Sequence, residues 1–182
     1  MRRIDADTSP QEIAAMVSGM LESTGIKATL SGGGAVMFYS LNEYESYDLD
    51  FITSAANTVI AEALAPLGFT HVAGSREFRH PGTRYYLEFP PGPLAFGETV
   101  IAHEDVPVLQ TEFGPLRVVT PTQSVMDRMA AYVHWKDNQA LDQAVMIARR
   151  QPIDWSALQD WARQEGVDDK VLEKLRRRAE KS

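Results

Sequence analysis

The sequence predicts an α+β fold, a mixed twisted sheet with flanking helices and a helical C-terminal part. Three observations carry this reading. Strand-like and helix-like runs alternate up to about position 120. Gly and Pro signals separate the short runs. Beyond Thr120-Pro121 every periodic segment has the helical period.

The elements follow in order. Ser9-Pro10-Gln11-Glu12 starts a helix, with Ser9 as cap, Pro10 in the first turn and Glu12 completing a capping box. Ile13, Met16, Val17, Met20 and Leu21 keep the helical period, and Gly25 stops it. Residues 26–30 read as a short strand entering Ser31-Gly32-Gly33-Gly34, and 35–41 as a short buried helix. Residues 48–53 alternate polar and apolar, as a strand does. Val59, Ile60, Ala63, Leu64 and Leu67 mark a second amphipathic helix ended by Gly68. Strands are expected over 69–73, 77–80 and 84–89, and Pro90-Pro91-Gly92-Pro93 breaks any regular element. A hairpin over 106–112 and 116–119 comes next, then helices over 122–135, 138–150, 155–165 and 169–181. The organisation expected is an α+β part, 1–120, and a helical part, 121–182.

Composition narrows the function classes. The 182 residues are 44% apolar, enough for a sizeable core. Without cysteine there are neither disulfides nor thiolate metal sites, which fits a reducing compartment, and a cytoplasmic location is expected. Residues 1–7 lack the apolar core of a signal peptide, and no apolar run reaches bilayer length. A net charge of −7 argues against a surface that coats nucleic acid. The segment 170–182 is locally basic, with six basic and two acidic residues. Such a run is a solvated helix face, or a modest contact for RNA or an acidic partner.

Asp48-Leu49-Asp50 is the most informative tripeptide. On a strand, residues two apart share a face, so Asp48 and Asp50 project together while Tyr47, Leu49 and Phe51 turn to the apolar side. Paired carboxylates repel unless a cation sits between them. Magnesium, which takes oxygen ligands and leaves positions for phosphates, is the natural candidate. The alternative is a solvent-facing acidic pair at a strand end. Gly32-Gly33-Gly34, just after a strand, permits a sharp turn and close approach of an anion to backbone N–H groups. It matches neither the Walker loop nor the dinucleotide fingerprint. His71, His80, His103 and His134 have no zinc-ligand spacing, and Trp135, Trp155 and Trp161 read as core.

Taken together, Ser31-Gly32-Gly33-Gly34-Ala35-Val36 and Tyr47-Asp48-Leu49-Asp50-Phe51-Ile52 resemble the signature of the nucleotidyltransferase superfamily, in the wording of AbiEii-type bacterial members. The resemblance is strongest over 30–53. It implies that Asp48 and Asp50 bind a divalent metal, Mg2+ or Mn2+, with a third acid on a neighbouring strand. Glu88, within Tyr85-Tyr86-Leu87-Glu88-Phe89, matches that third position best; Glu104, Asp105 and Glu112 compete less well. Ser31, Gly32, Gly33 and Gly34 would cradle phosphates. Arg128 and Lys136, on the first helices past the boundary, would face the acids across a cleft that receives the acceptor. The implied reaction moves a nucleoside monophosphate from a nucleoside triphosphate to a hydroxyl on an RNA end, a protein or a small molecule. The implied setting is a toxin–antitoxin system, with a toxin or antitoxin partner. The competing function is a binding module that keeps the fold, lacks catalysis and works through a protein partner.

Two departures matter. Gly34 stands where a hydroxyl residue is common, and Tyr44-Glu45-Ser46-Tyr47 lacks the basic residue that often precedes the paired acids. Arg76, Arg79 and Arg84 could supply the missing positive charge, or be solvated strand residues.

Overall fold

The computed structural model describes residues 3–180; Met1, Arg2 and the expected helix end at Lys181 lie outside the described residues. Helix α1 (Pro10–Ser23) begins as its sequence requires, the Ser9 side chain accepting a hydrogen bond from the Glu12 N–H. It buries Ile13, Ala14, Val17 and Leu21. Strand β1 (Thr29–Ser31) runs directly into α2 (Gly32–Tyr39), and β2 (Asp48–Ile52) follows. Helix α3 (Asn57–Leu64) ends through a 3-10 turn at Gly68, whose φ of 88° is open to glycine.

Strands β3 (Thr70–His71), β4 (Glu77–Arg79) and β5 (Tyr86–Glu88) complete a five-stranded sheet of order β1-β2-β5-β4-β3. Only β2 and β5 are parallel; the other pairs are antiparallel. The sheet is therefore mixed, as expected. Its apolar face carries Leu30, Leu49, Phe51, Phe78, Leu87 and Phe89, with Phe89 stacked on Phe51 (6.0 Å) and edge-on to Phe78 (5.1 Å).

Two hairpins follow, β6 (Leu94–Phe96) with β7 (Thr99–Ile101) and β8 (Val108–Thr111) with β9 (Gly114–Arg117). The second was expected. The first was not: Pro90 to Pro93 reads as a break, and two three-residue strands are too short to show a period. Helices α4 (Pro121–Trp135), α5 (Asn138–Arg150), α6 (Trp155–Gln164) and α7 (Asp169–Ala179) close the chain. Thr120 and Gln123 form a full capping box on α4, and Asp137, Asp154 and Asp168 cap the next three. Val125, Met129, Leu141 and Leu158 join the same core as the sheet's apolar face. Among the described residues no helix is long and apolar enough to cross a membrane.

Three expectations are corrected. The glycine triplet is the first turn of α2 and not a loop before it. The reason is space: a Cβ on Gly34 would stand 2.9 Å from Leu30 Cδ1 and 3.3 Å from Leu49 Cδ2, so its absence lets the helix lie close on the sheet. Trp135 is not core. It is 82% exposed at the end of α4, whereas Trp161 is buried. Tyr47 likewise lies just before β2 and is exposed, under the Arg84 guanidinium, which is 5.0 Å from its ring.

Candidate active site

Strand alternation places the acids. Leu49 and Phe51 are buried on one face of β2, and Asp48 and Asp50 project from the other, half-buried. Strand β5 repeats the pattern, with Leu87 buried and Tyr86 and Glu88 on the acidic face. The parallel register then pairs Asp50 with Glu88 and Asp48 with Tyr86. Extended to the outer strands, one row reads Ser31, Asp50, Glu88, Glu77 across β1, β2, β5 and β4. The sheet thus brings together Ser31, Asp48, Asp50 and Glu88 from the sequence-expected set.

The acids repel, and the charge shows it. Burial, followed by the carboxylates of Asp48 and Glu88, pushes the Asp50 carboxyl up to about 7. The Arg128 guanidinium opposes this and Asp127 adds to it. Glu88 is also raised, by burial and then by Asp48 and Glu77, with Arg76 opposing.

Local packing holds the acids in place. Ser46 is buried and its hydroxyl donates to Asp48 Oδ1. A Cβ on Gly33 would stand 2.9 Å from that same hydroxyl. Gly32 has a φ of 56°, and a Cβ there would lie 2.5 Å from Asp50 Oδ2. The first turn of α2 therefore sits against Asp50 and against the Ser46 side chain that bonds Asp48. Its Ser31 cap makes no side-chain hydrogen bond to the helix, so the leading N–H groups are not covered by the capping side chain.

Helix α4 brings Arg128 and Asp127 within electrostatic range of Asp50. Arg128 is tied to Asp127 Oδ2, at 2.6 Å from Nη2 and 3.1 Å from Nε, and its Nη1 reaches Gln143 Oε1 at 3.3 Å. Lys136 stands eight residues further on, just past the end of α4, and is exposed. At 1.5 Å per residue that is roughly 12 Å along the helix from Arg128. Arg79 pairs with Glu77 at 2.8 Å and lies over the Tyr86 ring at 4.8 Å. Glu104 and Asp105 form a separate 3-10 turn, and Glu112 lines an apolar groove against α1. His103 Nδ1 bonds Thr29 Oγ1 at 2.7 Å.

Sequence reasoning missed Ser46, Glu77 and Asp127. The position of Ser46, two before Asp48, gives it the same side of the chain as the acids. That spacing was the available signal for it. Glu77 becomes part of the site only through strand pairing.

Three carboxylates share one face, two of them raised by burial and then by their acidic neighbours, and oxygen donors of this kind suit a hard divalent cation. Among the described residues no group of three or more His, Cys, Asp or Glu side chains is placed to hold a metal ion together. Mg2+ does not need one, since it keeps several waters and takes one or two carboxylates plus substrate phosphates.

No protein-family model matches this chain, and no curated protein sequence does. Solved structures do. An antigenic nucleotidyltransferase-like protein from Paracoccidioides brasiliensis superposes over 94% of this chain and 95% of its own, with a TM-score of 0.60 and 13% identity. ANT(2'')-Ia, solved with adenylyl-2''-tobramycin, covers 87% of this chain and 98% of its own, with a TM-score of 0.54 and 10% identity. The chain has the fold of nucleotidyltransferase-like proteins.

Proposed function

We propose that the protein is a metal-dependent nucleotidyltransferase that moves a nucleoside monophosphate from a nucleoside triphosphate to a hydroxyl acceptor. One observation carries the reading. Asp50 and Glu88 stand in register on parallel strands, Asp48 shares their face, and the open first turn of α2 packs against Asp50 and against Ser46, the partner of Asp48. A metal-binding surface and an anion-binding helix start therefore adjoin.

Asp48 and Asp50 would hold the metal, one of them with Glu88. Bound there, Mg2+ or Mn2+ would polarise the α-phosphate and offset the charge that builds on it. Ser31 and the turn Gly32 to Gly34 direct N–H groups at the β and γ phosphates. The acceptor oxygen attacks the α-phosphorus, the bond from that phosphorus to the bridging oxygen breaks, and pyrophosphate leaves. Glu88, on the same face as the two aspartates, would take the acceptor proton. Gly34 faces the sheet rather than the phosphates, so a hydroxyl there would have no role in this chain.

Incubation with each nucleoside triphosphate, with and without Mg2+ or Mn2+, tests the proposal by pyrophosphate release and by stabilisation of the fold. A ligand that binds only the native state raises the melting temperature. Neither release nor stabilisation, with any triphosphate and either metal, would overturn it. That result favours the second reading, a binding module acting through a protein partner such as a toxin or antitoxin. The observation behind the second reading is that Arg128, the basic residue acting on Asp50, is already bound to Asp127.

A further inference from the structure

Tyr86 opens strand β5 on the same face as Glu88. The parallel register sets it beside Asp48, and Arg79 of β4 stands on its other side. A second row across the sheet therefore reads Asp48, Tyr86, Arg79, next to the row that holds Asp50 and Glu88. The ring is half-buried and held. The Arg79 guanidinium lies 4.8 Å from its centroid, and Arg79 is itself anchored on Glu77 at 2.8 Å. Neighbouring strands are about 4.8 Å apart, and a tyrosine is longer than an aspartate. A phosphate held above Asp48 is thus within reach of the Tyr86 hydroxyl.

Strand order gives that hydroxyl its chemical meaning. Nucleotidyl transfer is an in-line displacement, with the attacking and leaving oxygens on opposite sides of the phosphorus. The sheet runs β1, β2, β5. The turn at Gly32 meets Asp50 where β1 ends, and Tyr86 flanks Asp48 from β5. With the β and γ phosphates on the turn and the α-phosphorus over the aspartates, the leaving oxygen faces β1 and the attacking oxygen comes from β5. Other hydroxyls nearby are spent or misplaced. Ser46 donates to Asp48, and Thr29 bonds His103 at 2.7 Å. Ser31 stands on the leaving-group side, and the Tyr85 hydroxyl, one residue out of step with the acidic face, accepts from Arg84 at 3.3 Å. We infer that Tyr86 is a modification site, and that the protein transfers a nucleoside monophosphate to its own Tyr86 hydroxyl. The Tyr86 oxygen attacks the α-phosphorus, the bond from that phosphorus to the bridging oxygen breaks, and pyrophosphate leaves. The phenolic proton passes to Glu88, two residues along the same face. The product is a phosphodiester between the phenol and the nucleoside, formed once per chain. The inference rests on the nucleotidyltransferase reading, and its test separates the two.

The full chain is incubated with each ribonucleoside triphosphate and Mg2+ or Mn2+, stopped with chelator and denaturant, and weighed intact by mass spectrometry. The expected result is a gain of one nucleoside monophosphate group per chain with at least one triphosphate. Fragmentation of the wild-type peptide should place the group on Tyr86. The gain should vanish in Tyr86→Phe and persist in Tyr85→Phe. Tyr86→Phe should melt with wild type, since the ring remains to pack under Arg79. The fraction modified at a fixed time should not change on dilution, because attacking group and acids belong to one chain. A group mapped to another residue, a gain that survives in Tyr86→Phe, or a modified fraction that falls on dilution overturns the inference. Pyrophosphate release is followed in parallel. Release from a chain that stays unmodified overturns the inference and leaves the transferase reading standing; neither release nor mass gain overturns both.

Discussion

The hydroxyl of Ser46 donates to Asp48 Oδ1 and lies directly beneath Gly33, so a single buried side chain braces both the Asp48 carboxylate and the first turn of α2. Removing it leaves Asp48 free to rotate away. Groups that orient a metal ligand are typically worth 10–100-fold in affinity or activity, and Ser46→Ala is expected to lose about that much. Mn2+ affinity by calorimetry and the initial rate of pyrophosphate release check this. Wild-type values for both would show that Asp48 needs no brace.

Gly32 and Gly25 make a controlled pair. Both have positive φ, 56° and 80°, so alanine at either costs about 1–2 kcal/mol of backbone strain. A Cβ at Gly25 meets nothing within 4 Å, whereas one at Gly32 meets Asp50 Oδ2. Both variants should melt lower, and only Gly32→Ala should also lose metal binding. Equal metal binding in the two would remove Gly32 from the site.

Asp50 links stability to pH. Its folded pKa is raised from 3.8 to about 7, so the folded state binds the proton more tightly than the unfolded chain does. Stability is then greatest below about pH 4 with respect to this group, falls as pH rises, and levels off above about pH 7. At 1.36 kcal/mol per unit the full effect is on the order of 4 kcal/mol. Asp50→Asn removes this dependence. Without metal the variant should melt higher than wild type at pH 8 and converge with it near pH 4. A variant that melts lower at pH 8 would mean that the ionised carboxylate is stabilising, and the repulsion described here would be absent.

The hairpin turn gives a fourth expectation. Gly97→Ala places a methyl group against the enclosed Glu165 carboxylate and should cost about 1–3 kcal/mol, in the range of a lost buried hydrogen-bond acceptor. Amide exchange of Glu98 and Thr99, whose N–H groups bond Glu165, should quicken with it. Unchanged exchange would show that Glu165 does not secure the turn.

Local pattern made part of this legible in the sequence. The shared face of Asp48 and Asp50 follows from alternation alone, and so does the separation of Tyr86 and Glu88 from Leu87 and Phe89. The fold class followed from the order of the runs. What local pattern could not supply was partnership. Nothing near Glu77 marks it as a neighbour of Glu88, and nothing near Asp127 marks it as acting on Asp50; both relations come from packing between distant segments. Trp135 misled because its apolar character suits a core, while the helix ends there and turns it to solvent. The glycine triplet misled because glycine usually breaks helices, whereas here it lets one approach a sheet.

Strand order has a temporal meaning as well. Asp50 and Glu88 are neighbours in space but 38 residues apart in the chain, and the strands between them lie on the far side of β5. A parallel pair cannot close through a tight turn, so β2 and β5 meet only after the intervening loop has been drawn in, at an entropic cost that local contacts do not bear. Long-range pairing of this kind comes late in folding. A partly synthesised or partly folded chain would carry Asp48 and Asp50 without Glu88 beside them. The face that carries all three carboxylates is therefore born with the finished sheet, and an immature chain lacks it.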